Sequence, residues 1–91
     1  STLPGEFFDT LGAIQQAMGK SREAEESYAR GLRKQPDNPV LNYHMGKLIV
    51  SSNQPPGKAR GYLEKALAGK GRLNPAMAAE VVSLMEKAQA Q

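Results

Sequence analysis

Residues 8–36 read FDTLGAIQQAMGKSREAEESYARGLRKQP, and residues 42–67 read NYHMGKLIVSSNQPPGKARGYLEKAL. The two stretches share one frame. The first gives Phe8-x2-Leu11-Gly12-x2-Gln15, then Ala24-x3-Tyr28, then Leu32 and Pro36. The second gives Asn42-x2-Met45-Gly46-x2-Ile49, then Ala59-x3-Leu63, then Ala66 and Leu67. Gly12 to Gly46 is a step of 34 residues, and Ala24 to Ala59 is one of 35. The extra residue falls most simply in the turn at 51–57, where Pro55-Pro56-Gly57 replaces Gly19-Lys20-Ser21. A fixed period of this size marks a supersecondary unit that buries its apolar face against a neighbouring copy.

Working outward from the repeat, glycine and proline divide the chain into segments. Turns are predicted at residues 18–21, 35–39, 53–57 and 69–75. The segments between them are rich in Ala, Leu, Glu, Lys, Gln, Arg and Met, which favour helix, and no strand pattern alternates along them. Five helices are predicted, over about 4–18, 22–34, 39–51, 57–68 and 74–90. Phe7, Phe8, Leu11, Ile14 and Met18 form one apolar stripe on the first. Ser21 is the expected cap of the second, with Glu23, Glu25 and Glu26 at its positive end and Arg30, Arg33 and Lys34 at its negative end. Asn38-Pro39 and Asn74-Pro75 repeat a cap-and-proline device ahead of the third and fifth. Leu41, Met45, Leu48 and Ile49 are the buried candidates of the third helix. Ala59, Tyr62, Leu63, Ala66 and Leu67 play that part on the fourth, and Met77, Val81, Leu84, Met85 and Ala88 on the fifth. Short connections make neighbouring helices antiparallel hairpins.

At 91 residues the chain is a single domain with a thin core. It has no cysteine and only one histidine, His44, so disulfides and the usual Cys/His zinc sites are excluded. No apolar run approaches the ~20 residues of a membrane span. Net charge is +3. Residues 1–38 carry five Lys/Arg and six Asp/Glu, a net −1, whereas residues 39–91 carry seven and three, a net +4. This asymmetry permits an acidic partner or a phosphate backbone without requiring either.

The frame resembles the tetratricopeptide repeat, a 34-residue unit with the pattern W-x2-LG-x2-Y…A-x3-F…P. Leu11, Gly12, Ala24, Tyr28 and Pro36 match in the first unit, with Phe8 in place of tryptophan. Gly46, Ala59 and Leu63 match in the second, where Asn42 replaces the aromatic and the closing proline is missing. The resemblance implies an all-α stack of antiparallel hairpins forming a right-handed superhelix fragment. Repeat one spans about 5–38, repeat two about 39–72, and a capping helix about 74–90. It is similar to the end modules of longer bacterial repeat proteins, some of which serve in exopolysaccharide export or envelope assembly. The chain is accordingly expected to be the C-terminal part of a longer array. Gly12, Gly46, Ala24 and Ala59 are read as small residues at close helix approaches, filled from opposite by Phe8, Tyr28 and Leu63.

Nothing in the sequence supports catalysis or a cofactor. No serine lies in a nucleophile-elbow sequence, Gly69-Lys70-Gly71 lacks the spacing of a phosphate loop, and His44 reads as a structural residue. The family register instead implies a concave groove lined by the first helix of each hairpin. It places Glu6, Asp9, Ala13, Gln16 and Ala17 there from the first helix. From the third it places Val40, Tyr43, Lys47, Val50 and Ser51. Tyr43 and Lys47 lie one turn apart and pair an aromatic body with a charge, a surface suited to a peptide or protein ligand; the alternative is a solvated groove in which Tyr43 packs on a neighbouring helix. Receptors of this family that clamp a C-terminal carboxylate do so with Lys and Asn. Asp9, Ala13 and His44 stand at the matching positions, so that subclass is not expected.

Two other readings are open. Phe7 and Phe8 cannot easily share one buried face, so the first helix is expected to expose an edge through which the chain could self-associate. The basic cluster Lys58, Arg60, Lys65, Lys70 and Arg72 suggests nucleic-acid binding, but Tyr62 is the only aromatic among these residues and stacking has little to work with. A membrane surface is disfavoured because Lys87 on the fifth helix is outnumbered by Glu80 and Glu86.

Overall fold

Each helix of this chain begins where a proline, a cap or a left-handed glycine redirects the backbone. In the computed structural model, which describes residues 2–89, these starts produce α1 (Gly5–Ala17), α2 (Ser21–Lys34), α3 (Pro39–Ser51), α4 (Arg60–Ala68) and α5 (Pro75–Gln89). The expected end of the last helix at residue 90 lies outside the described residues. Among those residues the structure is all-α and arranged as helical hairpins.

The caps divide into those the sequence announces and one it does not. Asn38 Oδ1 accepts from the amides of Val40 and Leu41 at 2.9 and 3.0 Å, with Pro39 at the first helical position. Asn74 accepts from the Met77 amide at 2.8 Å. Ser21, expected to cap α2, is instead its first helical residue and makes no capping bond. The reason lies one residue upstream. Gly19 takes φ +78°, a backbone state that favours glycine. That turn lets Lys20 N donate to Gln15 O at 2.9 Å, and Lys20 O then accepts from Ala24 N. The helix therefore starts one residue earlier than a serine cap would set it. The second hairpin turns differently: four residues, 52–55, lead into a 3₁₀ turn (Pro56–Ala59) that runs on into α4. The extra residue of the second unit is accommodated there.

α1 packs on α2, and α3 on α4. α3 then packs on α2, and α5 on both α3 and α4. The odd-numbered helices form one layer, with α3 touching both α1 and α5, and α2 and α4 pack against it from the other side. The core runs between the layers and contains Ala24, Tyr28, Leu41, Met45, Leu48, Leu63, Ala66, Val81 and Leu84, all buried. Two glycines set the spacing. A Cβ on Gly12 would stand 2.5 Å from Tyr28 Cε1, and one on Gly46 would stand 2.5 Å from Leu63 Cδ2. Each hairpin is thus closed by a large residue of its second helix lying on a bare patch of its first.

Burial corrects the expected α1 stripe. Phe8 is buried and Leu11 half-buried, but Phe7, Ile14 and Met18 are exposed. Phe7 meets Phe8 edge-on, with ring centroids 5.3 Å apart, and Arg30 lies over the Phe8 ring. Of the two phenylalanines, Phe7 is the one left at the edge. Asn42, at the place of Phe8 in the second unit, is buried for a different purpose. Its Nδ2 donates to Pro36 O at 3.0 Å and to Asn38 O at 2.9 Å, tying α3 to the α2–α3 connection.

Candidate binding groove

Because hairpins reverse direction, α1, α3 and α5 run parallel in the same layer. Residues at matching heights on these helices meet, and they meet through polar side chains. Asp9 Oδ1 lies 2.6 Å from His44 Nδ1 and joins α1 to α3. Glu80 of α5 accepts a short hydrogen bond from the Tyr43 hydroxyl and an ion pair from Lys47 Nζ at 3.2 Å, joining α3 to α5. Lys47 also reaches the Tyr43 hydroxyl at 3.5 Å and lies over the Tyr43 ring. Behind this row stands Tyr28 of α2. Its hydroxyl donates to Gln16 Oε1 at 2.9 Å, and its ring stacks on His44 with centroids 5.7 Å apart.

The electrostatics follow from this geometry. Burial pushes the Tyr28 hydroxyl up to about 12, helped by the Asp9 charge. Burial likewise raises Tyr43, with the Glu80 bond adding to it. The bond from Tyr43 holds the Glu80 carboxyl below its ordinary value, against a smaller opposing effect of burial, and Lys47 adds to the lowering. Burial is the largest single influence on Lys47 and works against its charge. The Glu80 and Tyr43 interactions together outweigh it, so the Lys47 ammonium is raised. Glu6 is lowered by a backbone hydrogen bond and by Gln35, whose Nε2 donates to both carboxylate oxygens at 3.2 and 3.3 Å.

Two adjoining depressions lie along the α1–α3 face. One is lined by Ala13, Gln16, Ala17, Tyr28, His44 and Lys47. The other is lined by Glu6, Asp9, Asn38, Pro39, Val40 and Arg72. The bonded Asp9–His44 pair contributes one member to each and stands between them. The expected groove residues Glu6, Asp9, Gln16, Val40 and Lys47 are therefore brought to one face, together with Ala13 and Ala17.

Tyr43 and Val50 are placed differently. Tyr43 is only 5% exposed, because α5 lies across it and Glu80 holds its hydroxyl. It offers no aromatic face to a ligand. Val50 is half-buried against the core. Ser51, at the end of α3, is exposed and turns its hydroxyl back onto Lys47 O at 2.9 Å.

Three participants escape a reading by motif: His44, Tyr28 as part of the groove floor, and Glu80. The first two had a signal. His44 follows Asp9 by 35 residues, one more than the 34-residue step between the first helices, so the frame puts them within one residue of the same height on neighbouring first helices. Glu80 had none, since α5 stands outside the two matched units. Among the described residues no group of three or more His, Cys, Asp or Glu is arranged to hold a metal ion. No helix there is long and apolar enough to cross a membrane. Compared with protein-family models, with curated proteins and with solved structures, the chain matches none.

Proposed function

We propose that the chain is a tetratricopeptide-type module of two hairpins and a closing helix, and that it works as a non-catalytic scaffold or adaptor. Its ligand is a peptide or protein segment lying along the α1–α3 face. The observation that carries this reading is the open depression between the two first helices. Ala13 and Ala17 are exposed there beside Gln16, His44 and Lys47. Two alanines one turn apart leave room for a ligand backbone, and the polar side chains around them offer hydrogen bonds that fix its register. Lys47 keeps 43% of its side chain exposed even while paired with Glu80, so it still has donors for an incoming carbonyl or carboxylate. The 34-residue frame and the hairpin order α1–α2, α3–α4 support the family assignment.

The test is affinity capture from a nuclease-treated lysate of its native cells. Wild type runs beside an Ala13→Arg, Ala17→Arg double variant, which fills the depression with good helix formers. A Glu64→Arg variant on the exposed side of α4 is the control. A protein retained by wild type and the control but lost by the double variant supports the groove. Equal recovery by all three sinks it.

A further inference from the structure

Three helices of this chain carry the same apolar triplet. Phe7, Leu11 and Ile14 on α1, Leu41, Met45 and Leu48 on α3, and Met77, Val81 and Leu84 on α5 share the spacing i, i+4, i+7. That spacing sets each triplet along one side of its helix. On α3 the three residues are 0%, 2% and 2% exposed. α3 packs against α2, the helix immediately before it, and a Cβ on Gly31 of α2 would come within 2.9 Å of Leu41 Cδ2. On α5, Val81 and Leu84 are buried in the core, Met77 packs against it, and α5 lies against α4, again the helix immediately before it. On α1, no helix among the described residues occupies the corresponding place. Phe7 is 43% and Ile14 53% exposed, and Met18, one turn further on, is 62% exposed.

The covering helices state what fits such a triplet. α2 carries Ala24, Tyr28 and Gly31; α4 and the 3₁₀ turn that leads into it carry Ala59, Leu63 and Ala66. Both are again i, i+4, i+7, with one large residue between two small ones, and all six are buried. α2 is wedged between two first helices: its Tyr28 fills the bare patch at Gly12 of α1, and its Gly31 receives Leu41 of α3.

We propose that the outer face of α1 is a docking surface for a further helical hairpin stacked ahead of it. The second helix of that hairpin presents a small–large–small face to Phe7, Leu11 and Ile14, as α2 does to α3. A second copy of this chain is a poor occupant, because both of its helices of that kind are already covered. Apolar side chains left in water at this spacing are the physical reason for the surface. Burying Phe7 and Ile14 recovers transfer free energy that the isolated face forgoes. The α1–α3 groove lies on another side of the layer and does not enter the argument.

The experiment joins a second copy of residues 5–38 directly ahead of Gly5. This sets a duplicate α2 at the spacing α2 has from α3. The extended chain is expected to unfold in one transition with a higher urea midpoint than the 91-residue chain. Ile14→Glu in the original α1 should lower the midpoint of the extended chain while leaving that of the 91-residue chain unchanged. Two separate transitions, an unchanged midpoint, or a raised midpoint insensitive to Ile14→Glu would each overturn the proposal. So would a dimer of the 91-residue chain in sedimentation equilibrium that Ile14→Glu dissociates, since the occupant would then be a second copy.

Discussion

α1 and α3 are both 13 residues long and share a frame, yet α3 buries eight of its residues and α1 only three. The difference does not lie in apolar content. Phe7, Leu11 and Ile14 are as hydrophobic as Leu41, Met45 and Leu48, and they recur at the same spacing. It lies in the neighbours. α3 has helices on three sides: α2 before it, α4 as hairpin partner and α5 after it. α1 has its hairpin partner α2 and an edge of α3. In a stacked fold, the same local sequence becomes core or surface according to whether a unit stands on each side of it. The two hairpins also close differently. Tyr28, a titratable ring anchored to Gln16 and stacked on His44, fills the place that Leu63 fills in the second.

The sharpest way to break this comparison is to truncate matched positions. Leu48→Ala removes a buried side chain of α3 and is expected to cost about 2–5 kcal/mol. Ile14→Ala, the same place on α1, should stay within about 0.5 kcal/mol. Urea unfolding midpoints read both, and comparable losses would mean that the α1 face is already covered in solution.

Next in size is a pH effect centred on Tyr28 of the first hairpin. Tyr28 is raised from 10.0 to about 12 in the folded state. Its neutral form is therefore favoured by folding. The stability this represents is fully present below pH 10, and falls away as the pH rises towards 12, by about 2–3 kcal/mol in all. Tyr28→Phe removes the titration, so its stability should decline less than that of wild type between pH 10 and 12. Parallel declines would show that Tyr28 ionises as freely in the folded chain as in the unfolded one.

The smallest expected difference concerns the two glycines. Gly12→Ala and Gly46→Ala each gain about 1 kcal/mol of helix propensity and lose more to overpacking, typically about 1–3 kcal/mol. Gly12→Ala should be the worse of the pair, because a Cβ there meets a flat ring pinned at its far end. At Gly46 it meets a leucine that can change rotamer. Thermal midpoints that rank the other way would put the rigid closure in the second hairpin.

Much of this architecture was legible in the residues themselves. The asparagine–proline starts of α3 and α5, the glycine–alanine pairs and the spacing of apolar residues are local or periodic signals, and each corresponds to a feature of the fold. The start of α2 was not legible at Ser21, because a left-handed Gly19 let Lys20 begin the helix first. Of the residues expected along a groove, Glu6, Asp9 and Val40 line one depression, and Gln16 and Lys47 another. Tyr43 lines neither, because no pattern within α3 reports where α5 will lie.

What the sequence determined by itself, then, was the helices, their pairing and the small-for-large exchanges at their contacts. These depend on residues a few positions apart or one period apart. Only the tertiary structure decided which of two equivalent apolar triplets is buried, which phenylalanine sits at the edge, and that Glu80 crosses to Tyr43 and Lys47. The physical reason is that burial and ion pairing are properties of space shared by several helices. A helix carries its own face in its sequence, but what covers that face comes from its neighbours.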